Sequence, residues 1–292
     1  MSDSPHVGAL PIGTAADDPA PPASLIGRRF NRHTFFCGQS GSGKTYALGV
    51  VLEQLLAHTR LPLLILDPNS DFVHLDEVLP GAPEREAAAL RDRDIRVLRP
   101  RSAAGANLLV RFTALPAAAK AAIVRLDPFV DRGEYNSLLH AGEMLRADDA
   151  QGILPRLANS GDKGFRALGA RIENLAVLGW EIWAGEERPA TEIIDERADA
   201  TVLDLGGFAH PDEPLAVALS VLGDLWNRRA QRRPVLIVID EAHSLWPPDL
   251  ETPLGRAVRE QIIQIAADGR KFGLWMLLST QRPSKIHPNI IS

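Results

Sequence analysis

The chain has 292 residues, of which 45% are hydrophobic and 24% charged, with a formal net charge of −5. That is enough for one large α/β domain or two smaller ones of ordinary soluble composition. It argues against a broad basic coat for nucleic acid, though not against a few cationic loops lining a pore. With no run of about 18 apolar residues, nothing in it is expected to span a membrane.

Residues 1 to about 25 are rich in Pro, Ala, Ser and Asp and lack periodicity. They are expected to be a disordered tail, without the basic-then-apolar pattern of a secretion signal. The single cysteine, Cys37, has no internal partner for a disulfide, which suits a cytoplasmic protein. His33–Cys37 is a short apolar run ending at Gly38 and reads as a strand, with Cys37 expected in the core. Lys44–His58 is largely apolar and reads as a buried helix. Leu63–Leu66, ending at Asp67, is a continuous apolar run, and Thr201–Leu205 and Val235–Ile239 have the same texture. Such runs suit parallel strands covered on both faces. A helix with the stripe Leu254, Val258, Ile262 and Ile265 is placed to end at Gly269, followed by a strand over Leu274–Leu278. Between about 112 and 199 the pattern is helical and irregular, broken at Pro116, Pro128 and Pro155. It reads as a helical insertion in a domain running from 26 to 292. Strands alternating with helices predict a doubly wound, mostly parallel sheet, with ligands at the carboxyl ends of its strands.

Every motif falls at such an end. Gly38-Gln39-Ser40-Gly41-Ser42-Gly43-Lys44-Thr45 follows a strand and opens a helix. Glycines let successive N–H groups face one phosphate, and the helix dipole favours the anion. Lys44 is placed to neutralise the β- and γ-phosphates of ATP, and Thr45 to bind Mg²⁺. Asp240 and Glu241 end the strand Val235–Ile239. Asp240 is expected to hold Mg²⁺ through its water shell and Glu241 to polarise the attacking water, the alternative being a helix-capping or solvated acid. Gln281 ends the last strand, where it can bond both the lytic water and the γ-phosphate. Otherwise Ser279–Pro283 is a polar strand end leading into a turn. Arg270 reads equally well as a finger reaching a neighbouring subunit's site or as a surface residue near a helix C-terminus. Asp67 either positions water or metal, or caps a turn rich in Asp, Asn and Ser.

In this order, GQSGSGKT, LILDPNSDF, VLIVIDEAH, RKFG and LLSTQRPSKIHPNI resemble the HerA branch of the HerA–FtsK ATPases, over roughly residues 26–292. The resemblance implies a RecA-like core with an additional strand, a homo-hexameric ring and ATP-driven movement of DNA, expected to be double-stranded. It also carries the roles above onto Lys44, Thr45, Asp240, Glu241, Gln281 and Arg270. Relatives work with a nuclease in DNA-end processing or in antiphage defence. Alternatives are an ATP-dependent scaffold or switch for a defence effector, and a conjugation- or secretion-type pump. Asp240-Glu241-Ala242-His243 spells the box of another helicase group, whose later motifs are missing. His243 is expected to pack or cap behind the carboxylates. Two departures stand out: there is no room before the phosphate loop for the family's usual β-barrel, and the chain stops at Ser292 where relatives continue with a strand. The C-terminal end is therefore expected to be truncated, leaving the phosphate-loop strand at the edge beside the strand ending at Ser279. For DNA, Arg156, Lys163, Arg166 and Arg171 with a mobile loop at Ser160, Gly161 and Gly164 are expected to face the pore. The other reading is a solvated helix face, with Arg171 paired to Glu173 or Glu181.

Overall fold

The computed structural model describes residues 8–16, 21–82, 84–142, 152–245, 252–286 and 290. Nine strands lie among them: β1 (Ala9–Thr14), β2 (Pro22–Ile26), β3 (Thr34–Cys37), β4 (Leu63–Asp67), β5 (Ile95–Arg99), β6 (Ala106–Asn107), β7 (Ala200–Asp204), β8 (Val235–Ile239) and β9 (Leu274–Thr280). The helices are α1 (Lys44–His58), α2 (Glu84–Arg91), α3 (Ala117–Ile123), α4 (Arg132–His140), α5 (Ile153–Ala158), α6 (Lys163–Asn174), α7 (Ala190–Asp195), α8 (Glu213–Asn227), α9 (Ala242–Leu245) and α10 (Pro253–Asp268). Strands β3 to β9 form one parallel sheet in the order β3-β9-β8-β4-β7-β5-β6. No helix among the described residues is long and apolar enough to cross a membrane.

The continuous apolar strands are central because alternate residues feed two cores. Leu64 and Leu66 of β4 join the core under α8, α10 and the helices of the insertion. Leu63 and Ile65 join the other, under Leu48, Leu52 and Leu55 of α1. β8 divides in the same way, Ile237 and Ile239 against Leu236 and Val238. Each fully buried Leu or Ile contributes about 1.5–3 kcal/mol, so both faces hold the sheet.

Several sequence expectations change. The stretch to residue 25 is not all tail: β1 and β2 pair antiparallel as a separate two-stranded sheet. Leu10 anchors it, fully buried among the α1 leucines. Apart from Leu10 the β1 side chains are exposed, so no alternating signal marks it. β3 is the edge strand, with β9 as its only neighbour among the described residues, in agreement with the expected pairing. Cys37 is exposed, not core, at the end of the strand on the edge of the sheet. β5 and β6 carry no continuous apolar run; β5 is half-buried and includes Arg96 and Arg99. The helical insertion holds α3 to α7, between β6 and β7. Gly269 closes α10 in ordinary helical geometry (φ −57°). A Cβ there would meet Leu274 O at 2.8 Å, so glycine serves close approach, and the left-handed residue is Gly273 (φ 83°).

Candidate active site

The phosphate loop joins β3 to α1. Gly41 and Gly43 adopt φ 76° and 79°, the left-handed region glycine enters without steric cost, and an added Cβ at either would point into open space. A Cβ at Gly38 would strike Ser42 Oγ at 2.7 Å. Ser42 N donates to Gln39 O at 3.1 Å, closing the turn. Gln39, Ser40, Gly41, Ser42 and Gly43 are exposed at the mouth of the loop, and Thr45 is half-buried beside Lys44.

Lys44 turns inward from the first turn of α1 and is buried. Its Nζ donates to Asp240 Oδ1 at 2.8 Å and to Ser279 Oγ at 2.8 Å, and lies 3.0 Å from Glu241 Oε1. Burial pulls the Lys44 pKa down, but the hydrogen bonds and charges of Asp240 and Glu241 more than offset this, and it lies above the ordinary lysine value. The strand order explains the convergence. β8 lies between β4 and β9, and β9 lies between β8 and β3, so the ends of β3, β8 and β9 open side by side.

At the end of β8 the chain turns sharply. Glu241 has φ 40°, and its N–H donates to Asp240 Oδ1 at 2.8 Å. A non-glycine residue in this region is held by its surroundings at a cost of order 1–3 kcal/mol. Here the turn brings both carboxylates to one ammonium. Gln281 grips Glu241 twice: its side-chain amide donates to Oε1, and its backbone N–H to Oε2 at 3.2 Å. His243 Nδ1 sits 3.2 Å from Glu241 Oε2 and 3.0 Å from Thr280 Oγ1. Burial first, with Arg282 and Lys44, lowers its pKa against the opposing carboxylates, so His243 is neutral near pH 7. Asp240 Oδ2 is buried with no hydrogen-bond partner among the described residues. A carboxylate oxygen of this kind beside a phosphate loop fits a hydrated Mg²⁺, which takes one or two protein ligands plus substrate phosphates.

The structure thus brings together Lys44, Asp240, Glu241 and Gln281. It adds Ser279, through its contact with Lys44 across the sheet, and sets His243 against the Glu241 carboxylate as expected. Arg270 is elsewhere: it is exposed in a 3₁₀ turn over Gly269–Phe272, before the amino end of β9. The seven residues of β9 separate it from Thr280, about 20 Å along the strand. Of the two readings of Asp67, the geometry supports the turn. Its carboxylate accepts from Asp71 N at 3.0 Å and Phe72 N at 2.7 Å. Burial pushes its pKa up to about 6, against those two hydrogen bonds.

The expected DNA loop is also altered. Arg171 leaves it: its guanidinium binds Asp131 at 2.8 Å and Glu134, not Glu173 or Glu181. Those partners lie on and before α4, across the insertion. Asp162 caps α6, accepting from Gly164 N at 2.6 Å. A Cβ at Gly164 would strike Ser137 Oγ at 2.2 Å, so this glycine allows α6 to approach α4 closely. Arg156, Lys163 and Arg166 are exposed.

The family described as Helicase HerA, central domain, matches residues 10–140, and one described as Zonular occludens toxin (Zot) matches residues 186–291. The DNA double-strand break repair helicase HerA of Sulfurisphaera tokodaii is 42% identical over 59 residues, 20% of this chain and 11% of that protein. A probable helicase of Methanocaldococcus jannaschii is 33% identical over 73 residues, 25% of this chain and 13% of that protein. The matches therefore span about an eighth or less of these relatives' lengths. The solved structure of VirB4 of Thermoanaerobacter pseudethanolicus aligns with a TM-score of 0.61 at 13% identity, covering 99% of this chain and 80% of that one, and shows a shared fold. With the phosphate loop, the paired carboxylates and Gln281 in one cluster, the chain is a P-loop ATPase whose residues 10–140 match the HerA central-domain family.

Proposed function

We propose that this protein hydrolyses ATP with Mg²⁺ and uses the energy, as a hexameric ring, to move double-stranded DNA in concert with a nuclease in DNA-end processing or antiphage defence. The observation that carries the reading is the Lys44 ammonium held at 2.8–3.0 Å by Asp240, Glu241 and Ser279 beneath a glycine-rich loop. The N–H groups of residues 38–45 bind the triphosphate, and Lys44 neutralises its β- and γ-phosphates. Thr45 and Asp240 are the residues that would hold Mg²⁺, which when bound offsets charge on the same phosphates. Glu241 orients the attacking water and accepts its proton as the water oxygen bonds to the γ-phosphorus. The bond to the β–γ bridging oxygen breaks, and ADP leaves with that electron pair. Gln281 holds Glu241 in place and links the reacting end of β8 to β9. Arg270, too distant to serve its own site, is assigned to the site of the next subunit, where a trans arginine is worth about 10³–10⁵ in rate.

The exposed Arg156, Lys163 and Arg166 of the insertion support a DNA contact through phosphates. The test is ATP hydrolysis with and without duplex DNA, in the native protein and in a Lys163→Ala/Arg166→Ala double variant. The reading expects DNA to stimulate hydrolysis, less so at high salt, and the double variant to lose stimulation while keeping basal hydrolysis. Hydrolysis indifferent to DNA would instead assign the ATPase to assembly of an effector.

A further inference from the structure

The amino-terminal edge of the sheet carries a largely apolar cavity with arginines in its wall, at the opposite end of the strands from the phosphate loop. The segment between α8 and β8 reads Arg228-Arg229-Ala230-Gln231-Arg232-Arg233, and Arg197 enters from the loop before β7. Arg197, Arg228, Arg229 and Arg233 line a cavity of about 50 Å³ whose apolar side includes Leu63, Val235 and Phe272. That volume has room for about three or four waters, or for one tetrahedral oxyanion.

The charges there do not cancel. Asp195 accepts from Arg228 at 2.8 Å and from Arg233, and Asp224 accepts from Arg228. Arg229 lies over the Trp226 ring, 4.3 Å from its centroid, and donates to Trp226 O at 2.8 Å, with no acidic partner among the described residues. Arg197 donates to Pro234 O at 2.8 Å, and no described carboxylate lies within ion-pair distance of it. Burial, and then the charge of Arg233, oppose its protonation, against the nearby charge of Asp195. The backbone at Arg197 is left-handed, φ 62°, so its placement is enforced by the fold against a steric preference. Four arginines thus surround one small cavity whose lining includes a single carboxylate, Asp195, with Asp224 bound to Arg228 beside it, so positive charge is in excess there.

We propose that this cavity is a phosphate-binding site, separate from the ATP site and independent of its assignment. The guanidinium fork matches phosphate oxygens in pairs, and a charge-assisted hydrogen bond of this kind is worth roughly 1.5–3 kcal/mol. The ligand is a phosphate group, free or at the end of a nucleic-acid strand, and the cavity admits the phosphate alone.

The experiment is calorimetric titration of inorganic phosphate into the full chain carrying Lys44→Ala, which disables the phosphate loop. One site is expected to remain. Arg197→Gln or Arg229→Gln, added separately, should weaken it at least about tenfold, with the melting temperature of each protein recorded. A parallel titration compares an oligonucleotide bearing a 5′-phosphate with one bearing a 5′-hydroxyl. A gain from the 5′-phosphate that is lost with Arg197→Gln assigns the ligand to a strand end; equal binding of the two, with inorganic phosphate still bound, assigns a free anion. Absence of phosphate binding by folded Lys44→Ala protein, or binding unchanged by both arginine variants, overturns the proposal.

Discussion

Replacing Glu241 by Gln separates chemistry from binding. In the structure Glu241 is 4% exposed, its Oε1 lies 3.0 Å from Lys44 Nζ, and both oxygens accept from Gln281. Gln keeps the shape and one acceptor oxygen, so the turn at the end of β8 survives. Lys44 retains Asp240 at 2.8 Å. The charge of the trio Lys44, Asp240 and Glu241 rises from −1 to zero, so a triphosphate should bind at least as tightly as before. What disappears is the proton acceptor. Loss of general-base function costs about 10²–10⁴ in rate, or roughly 2.7–5.4 kcal/mol in the barrier. The assay pairs phosphate release at saturating Mg-ATP with equilibrium binding of a non-hydrolysable ATP analogue. The reasoning fails if turnover stays within a few-fold of native, or if the variant loses the analogue as completely as Lys44→Ala does.

Other outcomes follow from the same contacts. Lys44→Ala should abolish ATP binding and, by stranding the buried Asp240 and Glu241, destabilise the fold by about 3–5 kcal/mol in denaturant titration; an unchanged midpoint would mean the carboxylates do not depend on this ammonium. Asp67, with its pKa raised by burial from 3.8 to about 6, stays protonated in the fold at pH values where the unfolded chain has already ionised it. Its contribution to stability is therefore greatest below about pH 4 and falls as pH rises toward 6, by roughly 3 kcal/mol. Urea unfolding at pH 4.5 and 7.5 should show that slope in the native protein and not in Asp67→Asn; parallel slopes contradict it. Gly164→Ala, which meets Ser137 Oγ at 2.2 Å, should cost about 1–3 kcal/mol, and adding Ser137→Ala should recover part of it; strictly additive losses would show that the two sites do not touch. In the proposed ring, Arg270→Ala and Glu241→Gln subunits, each impaired alone, should regain hydrolysis when mixed, because some interfaces would then pair an intact site with an intact arginine. No recovery in mixed rings removes Arg270 from catalysis.

The parts of the fold legible in the sequence were those whose burial is complete. β8 and α1 have the bounds that an unbroken apolar run and a largely apolar helix indicate, because their side chains face core on most sides. β1 was invisible because one leucine holds it. β5 was invisible because Arg96 and Arg99 interrupt its pattern, Arg96 reaching Asp94 and Glu196 and Arg99 reaching Val73 O. Cys37 was misplaced because residue type says nothing of whether a strand has a second neighbour. The phosphate loop and the Asp240–Glu241 pair were readable as motifs, since the chemistry needs contiguous residues. The bonds of Ser279 to Lys44 and of His243 to Thr280 were not, because they span 235 and 37 residues of chain. Arg171 shows the same limit: nearby acids in the sequence were the obvious partners, yet the helices of the insertion set it against Asp131 and Glu134.

The cluster around Lys44 is proposed to turn over ATP in service of DNA movement. The most direct measurement is the rate of phosphate release from saturating Mg-ATP by the native protein, with duplex DNA titrated from zero to excess. Magnesium-dependent release is expected to rise with DNA, and its stimulation to weaken steeply as salt increases. A protein that binds ATP yet releases no phosphate at any DNA concentration would contradict it.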